Sequence, residues 1–208
     1  MSKIDITSTA VEKGIDLVKG FLEKLVGSSI EEAGLLISDN IKLRRFKNQI
    51  KMLDKAQKIV AESNIEIKQI SLKKIVPLLE YSSLEEEENL QDKWANLLVS
   101  FINGNEKYES MIFPYILSQL SSKEALELDK LYKSDITQPY IMTLDNIEVS
   151  NLARLELIEF VDTYALSLSK HSMKLRNYMF HPKSNKSYRR NDLGRKFVES
   201  CQPPVLKI

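Results

Sequence analysis

The sequence predicts a mainly α fold, with an N-terminal helical bundle followed by a small α+β winged-helix-like domain, and three observations predict it. Apolar residues recur at three- and four-residue steps through the first half of the chain, the spacing of helices with one buried face. Ser-x-x-Glu sequences, in which each side chain can satisfy the other residue's free backbone amide, open several of these stretches. After Asn103-Gly104-Asn105 the pattern changes to shorter helical stretches and two β-prone runs. That turn is the expected boundary between a bundle domain, residues 1–104, and a winged-helix-like domain, residues 105–208.

Val11, Ile15, Val18, Leu22 and Leu25 lay one stripe along a first helix, which needs a packing partner. Gly27-Ser28-Ser29 interrupts it, and Ser29 with Glu32 forms a capping box that opens a second helix. This helix carries Leu43, Phe46, Ile50, Leu53 and Val60 and ends at about Ala61, before Ser63 and Asn64. A third begins near Ser71 with Ile75, Val76, Leu78 and Leu79, and Pro77 either kinks it or delays its start. Ser83 with Glu86 repeats the capping box ahead of a fourth helix, which turns Leu90, Trp94, Leu97, Leu98 and Phe101 inward. Trp94 belongs to that apolar stripe, so it reads as a core anchor rather than a ligand contact.

Beyond the boundary, helices are expected around Ile112 to Leu120, Lys123 to Lys133 (capped by Ser121 with Glu124) and Ile147 to Leu157. The runs Phe160 to Leu168 and Leu175 to Phe180 are expected to pair as a hairpin, the wing. A closing helix from Leu193 to Ser200 ends before Pro203 and Pro204.

Composition narrows the function classes. The 208 residues, 43% hydrophobic and 28% charged, are those of an ordinary globular chain. The one cysteine, Cys201, permits no intramolecular disulfide and favours a reducing compartment. The polar start of the chain does not fit a secretory signal, and no stretch reaches the roughly 18 apolar residues of a spanning helix. A cytoplasmic protein is expected, with peripheral contact to the inner membrane as a variant. No nucleophile set, phosphate loop or metal-ligand spacing is present, and His171 and His181 lack partners at recognisable spacing. The expectation is therefore a non-enzyme with no catalytic, cofactor-binding or metal residues, no cofactor and no small-molecule substrate.

Two basic regions are the candidate binding surfaces. Arg44, Lys47, Lys51, Lys55 and Lys58 form one stripe on the second helix, opposite Phe46, Ile50 and Leu53, and such a stripe suits an anionic or partner surface. The competing reading is a solvated face paired with Glu85 to Glu88 of the same fold. The second region, Lys170 to Lys196, holds nine Lys or Arg against one acid, Asp192, interleaved with Tyr178, Phe180, His181 and Tyr188. Its Lys183, Lys186, Arg189 and Arg190 are candidates for phosphate or partner contact from a basic wing. The helix that would enter a groove carries Glu148 and Glu156, with only Asn151 and Arg154 as base readers, which argues against sequence-specific duplex binding. The first helix, with Phe21 and Leu22 backed by Lys19 and Lys24, could alternatively lie on a membrane, although packing on a neighbour or a second copy of the chain is favoured.

The segment from Pro77-Leu-Leu-Glu-Tyr-Ser-Ser through Glu85-Glu-Glu-Glu to Trp94-Ala-Asn-Leu-Leu98 resembles the central signature of the abortive-infection alpha family of bacterial phage-defence proteins. Leu152 to Glu159 and Leu193 to Cys201 are similar to that family's C-terminal region and to winged-helix modules, so the resemblance runs over about residues 30 to 204. Glu156 stands where such modules often carry glycine, and Asn191 where a threonine commonly precedes the closing helix. The resemblance implies a part in abortive infection without any catalytic set, acting through a protein partner or homo-oligomer or through nucleic acid on the basic wing. A DNA-binding winged-helix regulator and a membrane-surface effector are the alternatives.

Overall fold

The computed structural model describes residues 19–27, 43–104, 110–134, 140–161, 178–181 and 186–204. The fold is mainly helical and divides into two compact units, residues 1–118 with 200–208 and residues 119–199.

In the first unit, α1 (residues 19–26) buries Phe21, Leu22, Leu25 and Val26 and leaves Lys19, Glu23 and Lys24 exposed. The earlier part of its expected stripe and the Ser29–Glu32 box lie outside the described residues. Helix α2 (Leu43–Glu62) buries Phe46, Met52, Leu53, Ala56 and Val60, a stripe at helical spacing. It ends as the sequence suggested: Asn64 adopts φ 51°, and the Ile65 amide donates back to the Val60 carbonyl at 3.1 Å, a left-handed helix closure. Pro77 lies inside α3 (Leu72–Ser82), so it neither starts nor ends that helix.

The capping box expected at Ser83 and Glu86 does not form. Ser83 instead closes α3, its amide donating to the Leu79 carbonyl at 3.2 Å and its hydroxyl to the Glu80 carbonyl. Helix α4 (Glu88–Asn103) starts later, after a turn in which the Glu85 carboxylate accepts the amides of Glu86 and Glu87, both at 2.9 Å. Leu90, Trp94, Leu97, Leu98 and Phe101 are all buried, as their spacing predicts. Gly104 ends α4 at φ 65°, a conformation that suits glycine. The unit continues past this turn, because α5 (Phe113–Ser118) packs Phe113, Ile116 and Leu117 against α3 and α4.

The second unit opens with α6 (Ser122–Lys133), whose Ser121–Glu124 capping box is present in both directions. Then follow β1 (Tyr140–Ile141), α7 (Asn146–Arg154), β2 (Ile158–Val161), β3 (Tyr178–His181), β4 (Lys186–Arg190) and α8 (Asp192–Ser200). The strands form one four-stranded sheet in the order β1-β3-β4-β2, parallel between β1 and β3 and antiparallel elsewhere. The expected pairing of the Phe160 and Phe180 runs is thereby corrected: β2 and β3 are not neighbours, and each pairs with β4. Phe160 faces Tyr188 across the β2–β4 register, their rings edge to face with centroids 5.9 Å apart. Residues 162–177, the remainder of those two runs, lie outside the described residues.

The two departures noted in the sequence meet here. Glu156 takes φ 56°, the left-handed conformation that glycine adopts without strain. Its carbonyl accepts the Asn191 side-chain amide at 2.7 Å, while the Asn191 side-chain oxygen caps α8 through the Gly194 amide, also at 2.7 Å. One asparagine thus joins the α7–β2 turn to the start of α8.

Candidate interaction surfaces

The basic stripe of α2 is turned toward the acidic turn and the first residues of α4. Arg44 pairs with Glu86, Lys51 and Lys55 both with Glu88, and Lys55 also with Asp92. Lys58 pairs along its own helix with Asp54 at 2.8 Å. Hydrogen bonds to neutral acceptors fix α2 on the adjoining end of α3: Arg45 donates to the Ser83 hydroxyl at 2.8 Å, Asn48 to the Ser83 carbonyl at 3.0 Å and Gln49 to the Leu79 carbonyl at 3.0 Å. Hydrogen bonds from Lys51 and then Lys55 hold the Glu88 carboxyl down at about 2. Of the five candidate cations, Lys47 alone has no ion pair among the described residues, and it is half-buried. The anion that relieves their mutual repulsion is supplied by the chain itself. Spacing alone revealed the stripe and the Glu85–Glu88 run, but Asp92 was missed because its role depends on how α4 lies on α2.

The second basic region is also partly engaged. Arg189 forks onto Glu159 of β2 at 2.6 and 2.8 Å and holds that carboxyl below its ordinary range. Arg190 reaches the carbonyl and hydroxyl of Ser134 at the end of α6. Lys186 begins β4 opposite His181, and Lys183 lies outside the described residues. Among the described residues, no group of three or more His, Cys, Asp or Glu could hold a metal ion.

The second unit also carries an open groove of about 540 Å³ lined by Ser121, Glu124, Ile147, Glu148, Ser150, Asn151 and Arg154. Helices α6 and α7 supply its walls, and each begins with a capping box, Ser121–Glu124 and Asp145–Glu148. Lys123 and Glu148 tie the two walls at 2.6 Å, and that bond holds the lysine above its ordinary range. Of these residues the sequence drew attention to Asn151 and Arg154 as polar readers and to Ser121 with Glu124 as a cap, without showing that they meet.

A comparison of the chain with protein families matches the family described as Abortive infection alpha over residues 38–148, more than half the chain. The chain belongs to the abortive infection alpha family. No curated protein and no solved structure matches it significantly. The match extends from just before α2 into the first turn of α7, so the family region contains the whole ion-pair seam, while β2, β3, β4 and α8 lie beyond it. Within that region the segment Pro77 to Leu98 makes the second half of α3, the acidic turn and the first part of α4, and the turn seats α2 while Trp94, 1% exposed, fills the core.

Proposed function

We propose that this abortive infection alpha protein is a non-enzymatic component of bacterial anti-phage defence that works in the cytoplasm by docking on a partner protein. The observation that carries the reading is the family match over residues 38–148. Preference for a protein partner over nucleic acid is supported by the ion pairs that neutralise Arg44, Lys51, Lys55 and Lys58, and by the partners that Arg189 and Arg190 find within their own unit. Phosphate binding needs cations that are not already matched by carboxylates.

A second reading, a winged-helix regulator that holds DNA through its wing, draws on the β3–β4 hairpin, with Lys186 opposite His181 and Lys183 in the connection between the strands. A membrane-surface role for α1 is disfavoured, since Phe21 and Leu22 would have to leave the core to enter lipid. No helix among the described residues is long and apolar enough to cross a membrane.

The test is affinity purification of the tagged chain from bacteria with and without phage infection, with nuclease and high-salt washes, alongside plaque counts. The expected result is phage protection together with a stoichiometric protein partner that survives both washes. Co-purifying nucleic acid with no protein partner would overturn the docking reading in favour of the DNA-binding one.

A further inference from the structure

We propose that Asn103–Gly104, at the end of α4, is a self-modification site: the Asn103 side-chain amide converts to a carboxylate through a cyclic imide, and Lys68 promotes the step by binding the peptide group that attacks. The inference is independent of the docking reading above.

The sequence singles out this position. It contains one Asn-Gly pair, and every other asparagine precedes a residue with a Cβ. Ring closure needs the following backbone nitrogen to reach the asparagine Cγ, and glycine, having no Cβ, hinders that approach least. Asn103 is exposed at the last residue of α4, and helix ends are where local opening costs least. Gly104 continues the chain at φ 65°, and its amide is held by a long bond, to the Phe101 carbonyl at 3.3 Å.

The structure adds an activating group. Lys68 Nζ donates to the Asn103 carbonyl at 3.2 Å. That carbonyl and the Gly104 nitrogen belong to one peptide group, so when the nitrogen gives its proton to water the negative charge falls largely on the oxygen beside the ammonium. A donor placed where charge develops stabilises the attacking anion more than the starting amide. The nitrogen then bonds Asn103 Cγ, the bond from Cγ to Nδ2 breaks, and the leaving nitrogen takes up a proton from water to depart as ammonia. Water opens the ring at one carbonyl to give aspartate, or at the other to give isoaspartate with an extra main-chain carbon. Either product takes the formal net charge from +1 to zero and puts a carboxylate at the negative end of the helix. The extra carbon of isoaspartate also displaces Gly104 from the left-handed closure of α4.

The experiment is peptide mapping by mass spectrometry of the full chain during incubation at mildly alkaline pH, with isoaspartate read by enzymatic methylation. Expected is conversion at Asn103 ahead of every other asparagine, slowed about tenfold by Lys68→Met, the factor that one charge-assisted hydrogen bond takes off a barrier. In the urea-unfolded chain the Lys68 contact is gone, and the same variant should convert at the parent's rate. Asn103→Gln, whose longer side chain closes the ring far more slowly, should stay unmodified. Lys68 is exposed, and an unchanged circular dichroism spectrum and melting temperature verify the fold of its variant. Conversion at Asn103 no faster than at the other asparagines overturns the proposal. So does a Lys68→Met rate equal to the parent's in the folded chain, or a slowing that persists unchanged in urea.

Discussion

Asn191, Gly194 and Tyr132 set the geometry of the second unit at the scale of single atoms. The Tyr132 hydroxyl donates to the Leu157 carbonyl at 2.7 Å and accepts the Asn191 amide at 3.3 Å. A Cβ on Gly194 would stand 2.1 Å from that hydroxyl and 2.2 Å from the Leu157 carbonyl, closer than atoms can approach. Gly194→Ala is therefore expected to disrupt the second unit, seen as lost dispersion in its NMR spectrum. Adding Tyr132→Phe should not rescue it, because the carbonyl remains. Tyr132→Phe alone should cost about 1–2 kcal/mol in denaturant unfolding, the usual loss when a buried carbonyl loses its donor. Burial pushes the Tyr132 hydroxyl up to about 12 from an ordinary 10.0. Folding favours its neutral form, so its contribution is full below pH 10 and is lost as the pH rises toward 12. Alkaline unfolding followed by circular dichroism should show this step in the parent and not in Tyr132→Phe. Sequence marked Glu156 and Asn191 as unusual, but their contact joins residues 35 apart and no local pattern encodes it.

At the scale of elements, the seam between α2 and α4 decides how the basic stripe behaves. Glu88 is exposed and sits low, at about 2 against an ordinary 4.5, because Lys51 and Lys55 hydrogen-bond its charged form. Its contribution to folding is therefore present above pH 4.5 and fades as the pH falls toward 2. A ¹³C NMR titration of the Glu88 carboxyl should give a midpoint near 2, and Lys51→Gln with Lys55→Gln should return it toward 4.5; a midpoint already near 4.5 in the parent would remove the seam. Stability at neutral pH should change little in this double variant, since exposed ion pairs contribute little and the apolar faces of α2 and α4 carry the packing. The helices were legible because their apolar residues repeat at helical spacing, and so was the Ser121 cap. Strand β4 was not, because Lys186, Arg189 and Arg190 marked it as part of a basic surface and not as a strand of its own, and its strand character comes from pairing with β2 and β3 on either side. The Ser83 box failed for a related reason: the same four-residue spacing can close one helix or open the next, and Arg45 and Asn48 of α2 hold Ser83 at the close of α3.

Across the whole molecule, a net charge of +1 conceals two basic regions, and among the described residues most of the α2 stripe is already paired. If the five cations of the α2 stripe were free to hold phosphates, each would release about 0.9 of a counterion, and the affinity for duplex DNA would fall with a log–log salt slope of about −4.5. With Arg44, Lys51, Lys55 and Lys58 already matched by carboxylates, the release on binding is largely cancelled. Fluorescence anisotropy with a labelled duplex is therefore expected to show weak binding with a slope much shallower than that value. The variant Glu86→Gln, Glu88→Gln, Asp92→Asn should steepen it, because the acids are removed and the cations remain. A parent slope near −4.5 would mean that the stripe exchanges its own carboxylates for phosphate, and the DNA-binding reading would then outweigh docking on protein. A shallow slope in both parent and variant would place any residual DNA contact on the β3–β4 hairpin, where Lys183→Ala and Lys186→Ala should abolish it.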